Sequence, residues 1–141
     1  MEFFEVKIKY DKTMEDGLVK KVSETYGLQV MSFTEAESRI TLEIAPYITG
    51  AFEVTHEKRA QWTECRFNGG DRYYLVKFIL IYPGDDGKDK RHPMHILFQE
   101  ENIDKAKEDA RKYMAGCVTD YEIHSIKETD ILDVFMYDRT E

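Results

Sequence analysis

The sequence predicts an α+β fold in which two tandem ββαβ repeats form one pseudo-symmetric domain, with a mostly antiparallel sheet and two helices. Three observations predict it: similar residues recur 70 positions apart, alternating apolar segments end in Asp-Gly turns, and two segments have apolar residues at helical spacing. The 141 residues fit one domain, which we assign to 1–141, with repeat 1 at about 1–68 and repeat 2 at about 72–137.

The repeat is found by comparing each residue with the one 70 positions further along the chain. Val6 then corresponds to Val76 in the first strand, and Gly17 corresponds to Gly87 in the turn that follows. Towards the end of each copy one residue is lost and the spacing becomes 69. Because turn residues fall on turn residues throughout, the spacing predicts two copies of one unit.

Each repeat is expected to contain three strands, and therefore the chain six. Apolar residues alternate with charged residues over 4–10, which is typical of a half-buried strand, whereas 73–82 is apolar nearly throughout. We expect the latter strand to lie centrally in its sheet. The second strands are predicted at about 18–31 and 92–99, and the closing strands at about 52–66 and 121–137.

A helix is predicted after the second strand of each repeat. The first begins near Ser32 or Thr34, each followed three residues later by glutamate, and the second is capped by Asn102 and ends before Gly116. The sheet-facing sides should be buried, Ile40, Ile44, Ala106 and Met114 above all. The full apolar stripes are Phe33, Ala36, Ile40, Ile44 and Tyr47 in the first helix, and Ile103, Ala106, Ala110 and Met114 in the second.

Composition excludes several classes of protein. With 20 basic and 28 acidic residues the net charge is −8, which disfavours non-specific binding of nucleic acid. Cys65 and Cys117 form neither a disulfide framework nor a zinc motif, and both are expected to be small buried hydrophobes. The chain has no signal peptide or long apolar run, so we expect a cytoplasmic protein that does not enter a membrane.

Catalytic and metal-binding patterns are missing from the sequence. No serine lies in a nucleophile elbow, and His92 and His95 point to opposite faces of a strand, which is wrong for a shared metal ion. The segment 84–88 resembles a phosphate loop superficially, but Lys88 is followed by Asp89 and a strand. We therefore expect no enzymatic activity, no cofactor and no metal site, and we assign Trp62 to the core.

Basic residues cluster at matching hairpin positions of the two repeats. They could frame a pocket for a small anion, because arginine and lysine bind phosphate groups. The alternative is that they keep exposed strand edges from pairing with other chains. The candidate ligand-binding residues are Lys20, Lys21, Lys88, Lys90, Arg91 and His92.

Three segments resemble a known family: SFTEAESRI at 32–40, EKRA at 57–60 and DVFMY at 133–137. The sequence is similar to a domain-of-unknown-function family of small proteins encoded by gut bacteria and their phages, and the resemblance extends over essentially the whole chain. The family has no assigned activity, so the resemblance implies no catalytic residues. What it implies is a phage or mobile-element gene that acts inside the bacterial cell.

Together these patterns predict a non-catalytic binding or interaction protein. Its expected partner is a small anionic, nucleotide-like signal that it sequesters, or a host protein. Exposed sheet edges also predict a homo-oligomer. Two alternatives stay open: a structural or assembly component of a phage particle or replication complex, and a nucleotide- or nucleic-acid-processing enzyme, which the missing catalytic groups disfavour.

Overall fold

The computed structural model describes residues 1–137, which contain eight strands, two α-helices and one short 3-10 helix. The predicted α+β class is confirmed. No helix in this part of the chain is long and apolar enough to cross a membrane. The strands are β1 (Glu2–Thr13), β2 (Val19–Val30), β3 (Phe52–Arg59), β4 (Glu64–Phe67), β5 (Arg72–Pro83), β6 (Asp89–Glu100), β7 (Asp120–Glu128) and β8 (Ile131–Phe135). The helices are α1 (Phe33–Ile44), the 3-10 helix (Ala45–Tyr47) and α2 (Ile103–Met114).

The chain divides into two compact units. Of the described residues, 1–60 and 130–137 form unit 1, and Gln61–Thr129 form unit 2. Each unit has one four-stranded mixed sheet, in the order β3-β1-β2-β8 in unit 1 and β7-β5-β6-β4 in unit 2. The first three strands of each order pair antiparallel and the last joins in parallel. The assignment of both repeats to one domain stays a prediction.

The internal repeat is confirmed by the element bounds. β5, β6 and α2 begin and end at the repeat equivalents of the first and last residues of β1, β2 and α1. Both hairpin turns have the predicted Asp-Gly chemistry: Gly17 and Gly87 have φ values of 83° and 79°, in the region that favours glycine. The carboxylates of Asp16 and Asp86 each accept the N–H two residues later, at 3.0 Å. β5 lies centrally in its sheet, as predicted.

The predicted closing strands are wrong in one respect, because each is two strands with different partners. β3 pairs with β1 in unit 1, but β4 pairs with β6 in unit 2, while β7 pairs with β5 and β8 joins β2. The break falls at 60–63, where the Ala60 N–H donates to the Phe3 carbonyl at 2.9 Å and the Thr63 N–H donates to the His95 carbonyl at 3.2 Å. β4, the last strand of repeat 1, therefore belongs to the sheet of unit 2. β8, the last strand of repeat 2, belongs to the sheet of unit 1.

The core of unit 1 lies between α1 and one face of its sheet. Phe4, Val6 and Ile8 are fully buried on β1, and α1 contributes Ile40 and Ile44, as its spacing predicts. The helix begins after Ser32, whose Oγ accepts the Glu35 N–H at 3.2 Å, so Ser32 and not Thr34 is the cap.

The core of unit 2 repeats this arrangement. Val76 and Phe78 of β5 pack with Ala110 and Met114 of α2, and Ala106 is fully buried on the same helix. Asn102 caps α2 by accepting the Lys105 N–H at 2.9 Å, as predicted.

Four predicted core positions need correction, and Trp62 does not. Phe33 is 38% exposed at the start of α1. Tyr47 is 85% exposed because Pro46 lies in the 3-10 turn, which departs from the α-helical spacing that the stripe assumes. Ile103 is half exposed at the start of α2. Cys117 is exposed because α2 ends before it, whereas Cys65 and Trp62 are buried as expected.

Candidate functional site

The predicted basic residues lie exposed near the hairpin ends of their own units. Lys20 and Lys21 belong to β2, whereas Lys90, Arg91 and His92 belong to β6 and Lys88 lies in the turn before it. Neighbouring residues of a strand point to opposite faces, so Lys20 and Lys21 diverge, as do Lys90 and Arg91. The Arg91 guanidinium also forms an ion pair with Glu122 of β7. The anion site stays a prediction.

A different concavity in unit 1 combines aromatic rings with carboxylates. It lies on the helix side of the sheet, at the end of α1, and has a volume of ≈ 360 Å³. We call it the aromatic pocket. Its described lining residues are Tyr10, Glu24, Tyr26, Glu43, Ile44, Tyr47, Ile48, Leu132, Asp133 and Phe135.

The aromatic floor of this pocket is built by the β2–β8 ladder. Tyr26 pairs with Asp133 and Leu28 pairs with Phe135, so the parallel strand brings a ring and a carboxylate beside Tyr26. The rings of Tyr26 and Phe135 stack with their centroids 5.8 Å apart and their planes inclined by 25°. Because Tyr26 is only 9% exposed, it holds the stack firmly, and the half-buried Phe135 presents the accessible part of the π surface.

Three carboxylates line the aromatic pocket, those of Glu24, Asp133 and Glu43. The Tyr26 hydroxyl donates to Glu24 Oε1 at 3.0 Å, and the Val134 N–H donates to Asp133 Oδ1 at 2.8 Å. Glu43 is bound by Arg39, whose Nε lies 2.8 Å from Glu43 Oε1. Arg39 thus neutralises Glu43 from outside the lining, and none of the described lining residues is basic. The described lining residues therefore have a formal negative charge.

Two phenols of this pocket, those of Tyr26 and Tyr10, have pKa values raised above the ordinary value and are neutral at physiological pH. Burial raises the pKa of Tyr26 well above its ordinary value, and the negative charge and hydrogen bond of Glu24 raise it further. Burial, followed by Glu24, likewise raises the pKa of Tyr10. The two side chains therefore act as π faces and hydroxyl donors and not as bases, and aromatic faces beside carboxylates attract an organic cation.

A second concavity of unit 1, of ≈ 320 Å³, has charges of both signs. Its lining includes Glu5, Lys7, His56 and Lys58, and the Lys58 Nζ lies 3.1 Å from Glu5 Oε2. Glu57 and Asp130 also line it, so the described lining has three carboxylates, two lysines and one histidine, and neither sign of charge dominates. Residues 1–137 contain no group of three or more His, Cys, Asp or Glu side chains that could hold a metal ion.

Sequence reasoning missed the aromatic pocket, although the repeat carries a signal for it. At the repeat spacing Glu24 corresponds to Met94, and Glu43 corresponds to Tyr113, so polarity changes between copies at positions that are otherwise equivalent. Residues that match between the two copies predicted the fold. Residues that differ between them, such as Glu24 and Met94, mark the place where the two copies differ in chemistry.

Comparison with known proteins gives a family but no function. Residues 2–137 match the model of a domain of unknown function, DUF4494. No curated protein and no solved structure matches the chain. The match confirms the predicted membership in a domain-of-unknown-function family that covers essentially the whole chain. Because the family model spans nearly the whole sequence, the chain belongs to the DUF4494 family.

Proposed function

We propose that this protein is a non-catalytic binding protein whose ligand places a positively charged organic group in the aromatic pocket. One observation carries the proposal: stacked Tyr26 and Phe135 lie beside carboxylates, with no basic side chain among the described lining residues. A cation gains both the attraction of the ring faces and charge-assisted hydrogen bonds in such a setting.

The expected affinity is modest. A cation over an aromatic ring contributes about 0.5–2 kcal/mol, and a hydrogen bond to a charged group contributes about 1.5–3 kcal/mol. Together these contributions correspond to a dissociation constant of about 0.2–30 mM for one such group, and the loss of its translational freedom weakens binding further. Tighter binding requires contacts outside the pocket, for which exposed Tyr47 and Leu132 at the rim are available.

Nuclear magnetic resonance titration of the full chain tests this proposal. Arginine amide, a cation, should shift the ring resonances of Tyr26 and Phe135, whereas AMP, an anion, should not. Glu24→Gln keeps an acceptor for the Tyr26 hydroxyl but removes the charge, and it should weaken cation binding about tenfold. Glu53→Gln is the matched control, because Glu53 is exposed on β3 and does not line the pocket. The proposal fails if no organic cation shifts these rings at about 10 mM.

A small anion is a second candidate ligand. The observation that favours it is the matched placement of Lys20 and Lys21 with Lys90 and Arg91, all exposed in a chain of net charge −8. The AMP titration decides between the two ligand classes. If the basic residues form the site, AMP should shift the backbone signals of β2 and β6 near the hairpins and leave the ring signals of the aromatic pocket unchanged.

The partner that we propose for the protein in its biological setting is a host protein. The resemblance to proteins of gut bacteria and their phages supports this view, because it implies a protein that acts inside a bacterial cell. A basic side chain of such a host protein is a cation of the kind that the aromatic pocket attracts.

A further inference from the structure

One side of β2 is open near the β1–β2 hairpin turn. β8, the neighbour of β2 on the side away from β1, pairs with β2 only at residues 25–28. Residues 19–23 continue the ladder with β1 beyond that point, and no strand in the described part of the chain pairs with their other side. Val19, Lys20, Lys21 and Ser23 are exposed. We call residues 19–23 the β2 edge.

The backbone groups that point outward from the β2 edge follow from the hairpin register. In an antiparallel ladder, pairs that exchange hydrogen bonds alternate with pairs whose N–H and C=O groups point away from the partner strand. The Met14 N–H donates to the Leu18 carbonyl at 2.8 Å, which makes these two residues a hydrogen-bonded pair. The groups of Val19, Lys21 and Ser23 therefore point away from β1. The β2 edge thus presents three N–H donors and three carbonyl acceptors at the spacing of a further strand.

Unit 2 has a proline in the equivalent edge. The Thr63 N–H donates to the His95 carbonyl at 3.2 Å, which shows that His95 points outward from β6. Pro93, two residues earlier, points the same way, and it has no N–H to donate to a further strand. Ser23 is the repeat equivalent of Pro93. Of these two edges, only the β2 edge can therefore pair with a further strand along its whole length.

The charge of the β2 edge favours an acidic partner strand. Lys20 pairs with Lys12 across the hairpin, and like charges directly opposite each other destabilise a ladder. Lys21 pairs with Asp11 on the opposite face, so these four side chains have a net positive charge. Lysine at an edge discourages pairing with neutral or basic strands, whereas carboxylates beside the lysines would offset the repulsion. Glu24 follows the edge on the face of Lys20, which limits the acidic stretch of the partner to the residues near the lysines.

We infer that the β2 edge of unit 1 binds an extended segment of a partner protein, which pairs with residues 19–23 as a further strand and places two adjacent acidic side chains beside Lys20 and Lys21. Adjacent residues of a strand point to opposite faces, so two neighbouring Asp or Glu residues reach both lysines. Main-chain hydrogen bonds supply the affinity and the lysines supply the selectivity. This site is separate from the aromatic pocket and does not depend on the function proposed for that pocket.

A second copy of this chain fits the β2 edge less well than an acidic segment does. Antiparallel pairing of two β2 edges about Lys20 or about Lys21 places that lysine opposite its own copy. The favoured occupant of this edge is therefore a different protein.

Nuclear magnetic resonance with amide hydrogen exchange on the full chain tests the inference. Acetyl-Thr-Val-Glu-Glu-Val-Thr-amide has the same order of residues in both directions, so it offers its acidic pair in either strand direction. At about 1 mM it should slow the exchange of the Val19, Lys21 and Ser23 amides at least about twofold, which corresponds to a dissociation constant of about 1 mM or below. The Lys20 and Val22 amides face β1 and should change little.

Each other outcome of this titration overturns part of the inference. Acetyl-Thr-Val-Lys-Lys-Val-Thr-amide is the control, and an equal effect of both peptides would overturn the acidic partner. Binding of the acidic peptide without the alternating protection would overturn strand pairing, and no effect of it at about 1 mM would overturn the site. Amides that become protected in the free chain as its concentration rises would assign the edge to a second copy instead.

A proline variant gives an independent readout. Ser23→Pro should abolish binding of the acidic peptide because it removes an outward N–H, and Pro93 shows that the equivalent hairpin accommodates proline. Ser23→Ala is the matched control, since it keeps the N–H, and it should bind as the native sequence does. If Ser23→Pro is unfolded by circular dichroism, the double variant Lys20→Glu, Lys21→Glu takes its place and should prefer the lysine peptide. Undiminished binding of the acidic peptide by a folded Ser23→Pro, or by the double variant, contradicts the inference.

Discussion

Glu100 is a buried carboxyl whose ionisation should make the stability of unit 2 depend on pH. It ends β6 and is 2% exposed. The Asn68 amide donates to its Oε2 at 2.8 Å, and Asp109 and Lys105 of α2 are charged groups that also act on it. Burial, together with the hydrogen bond and charge of Asp109, raises the pKa of Glu100 from 4.5 to about 7, against the opposing effect of Asn68.

The sign and size of the effect follow from linkage. Because the pKa of Glu100 is higher in the folded protein than in the unfolded chain, its contribution to stability is complete below pH 4.5 and is lost as the pH rises through about 7. The interval between these pKa values sets an upper limit of about 3 kcal/mol, at about 1.4 kcal/mol for each tenfold change in the proton equilibrium. Glu100→Gln mimics the protonated form and should abolish this loss.

Urea unfolding followed by circular dichroism between pH 4.5 and 8 measures the effect as a difference between variants. The Glu100→Gln protein should gain about 1–3 kcal/mol in free energy of unfolding, relative to the native sequence, as the pH rises from 4.5 to 8. Glu101→Gln is the control, because Glu101 is exposed beside the same site. A difference between Glu100→Gln and the native sequence that stays constant with pH would refute the reasoning.

Three further predictions concern the core, the hairpins and self-association. Ile44→Ala should lower the free energy of unfolding by about 2–5 kcal/mol in urea melts. Leu42→Ala is the control and should change it little, because Leu42 is 73% exposed on the same helix. Similar losses in both variants would show that the buried face of α1 is assigned wrongly. If AMP binds the hairpins, changing Lys90 and Arg91 together to alanine should abolish that binding with an unchanged melting temperature, and added salt should weaken it; unchanged AMP binding would exclude these residues. The exposed strand edges predict a dimer by light scattering at high micromolar concentration, which a monomer mass would contradict.

Much of the fold could be predicted because its strongest signals are local. Turn glycines such as Gly17 and Gly87, helix caps such as Asn102, and apolar spacing each act within a few residues of the chain. Because the repeat spacing is nearly constant, a strand, turn or helix that was predicted in one repeat could also be predicted in the other. The partners of β4 and β8 could not be predicted in this way, because a short strand carries little information about which distant strand completes its ladder.

The candidate site was harder to predict than the fold because its residues come from separate segments. Tyr10, Glu24 and Asp133 lie on three different strands and meet only through the ladders of the unit 1 sheet. In the sequence each is an ordinary strand residue with nothing nearby to mark it. The basic hairpin residues were conspicuous because they are neighbours in sequence, yet on a strand such neighbours point to opposite faces.

A crystal structure of the full chain with arginine amide tests the central claim most directly. It should show the guanidinium within about 6 Å of the Tyr26 ring centre and about 3 Å from a carboxylate of Glu24 or Asp133. An aromatic pocket that stays empty at a saturating concentration of arginine amide, or a guanidinium bound only elsewhere on the chain, would contradict the account.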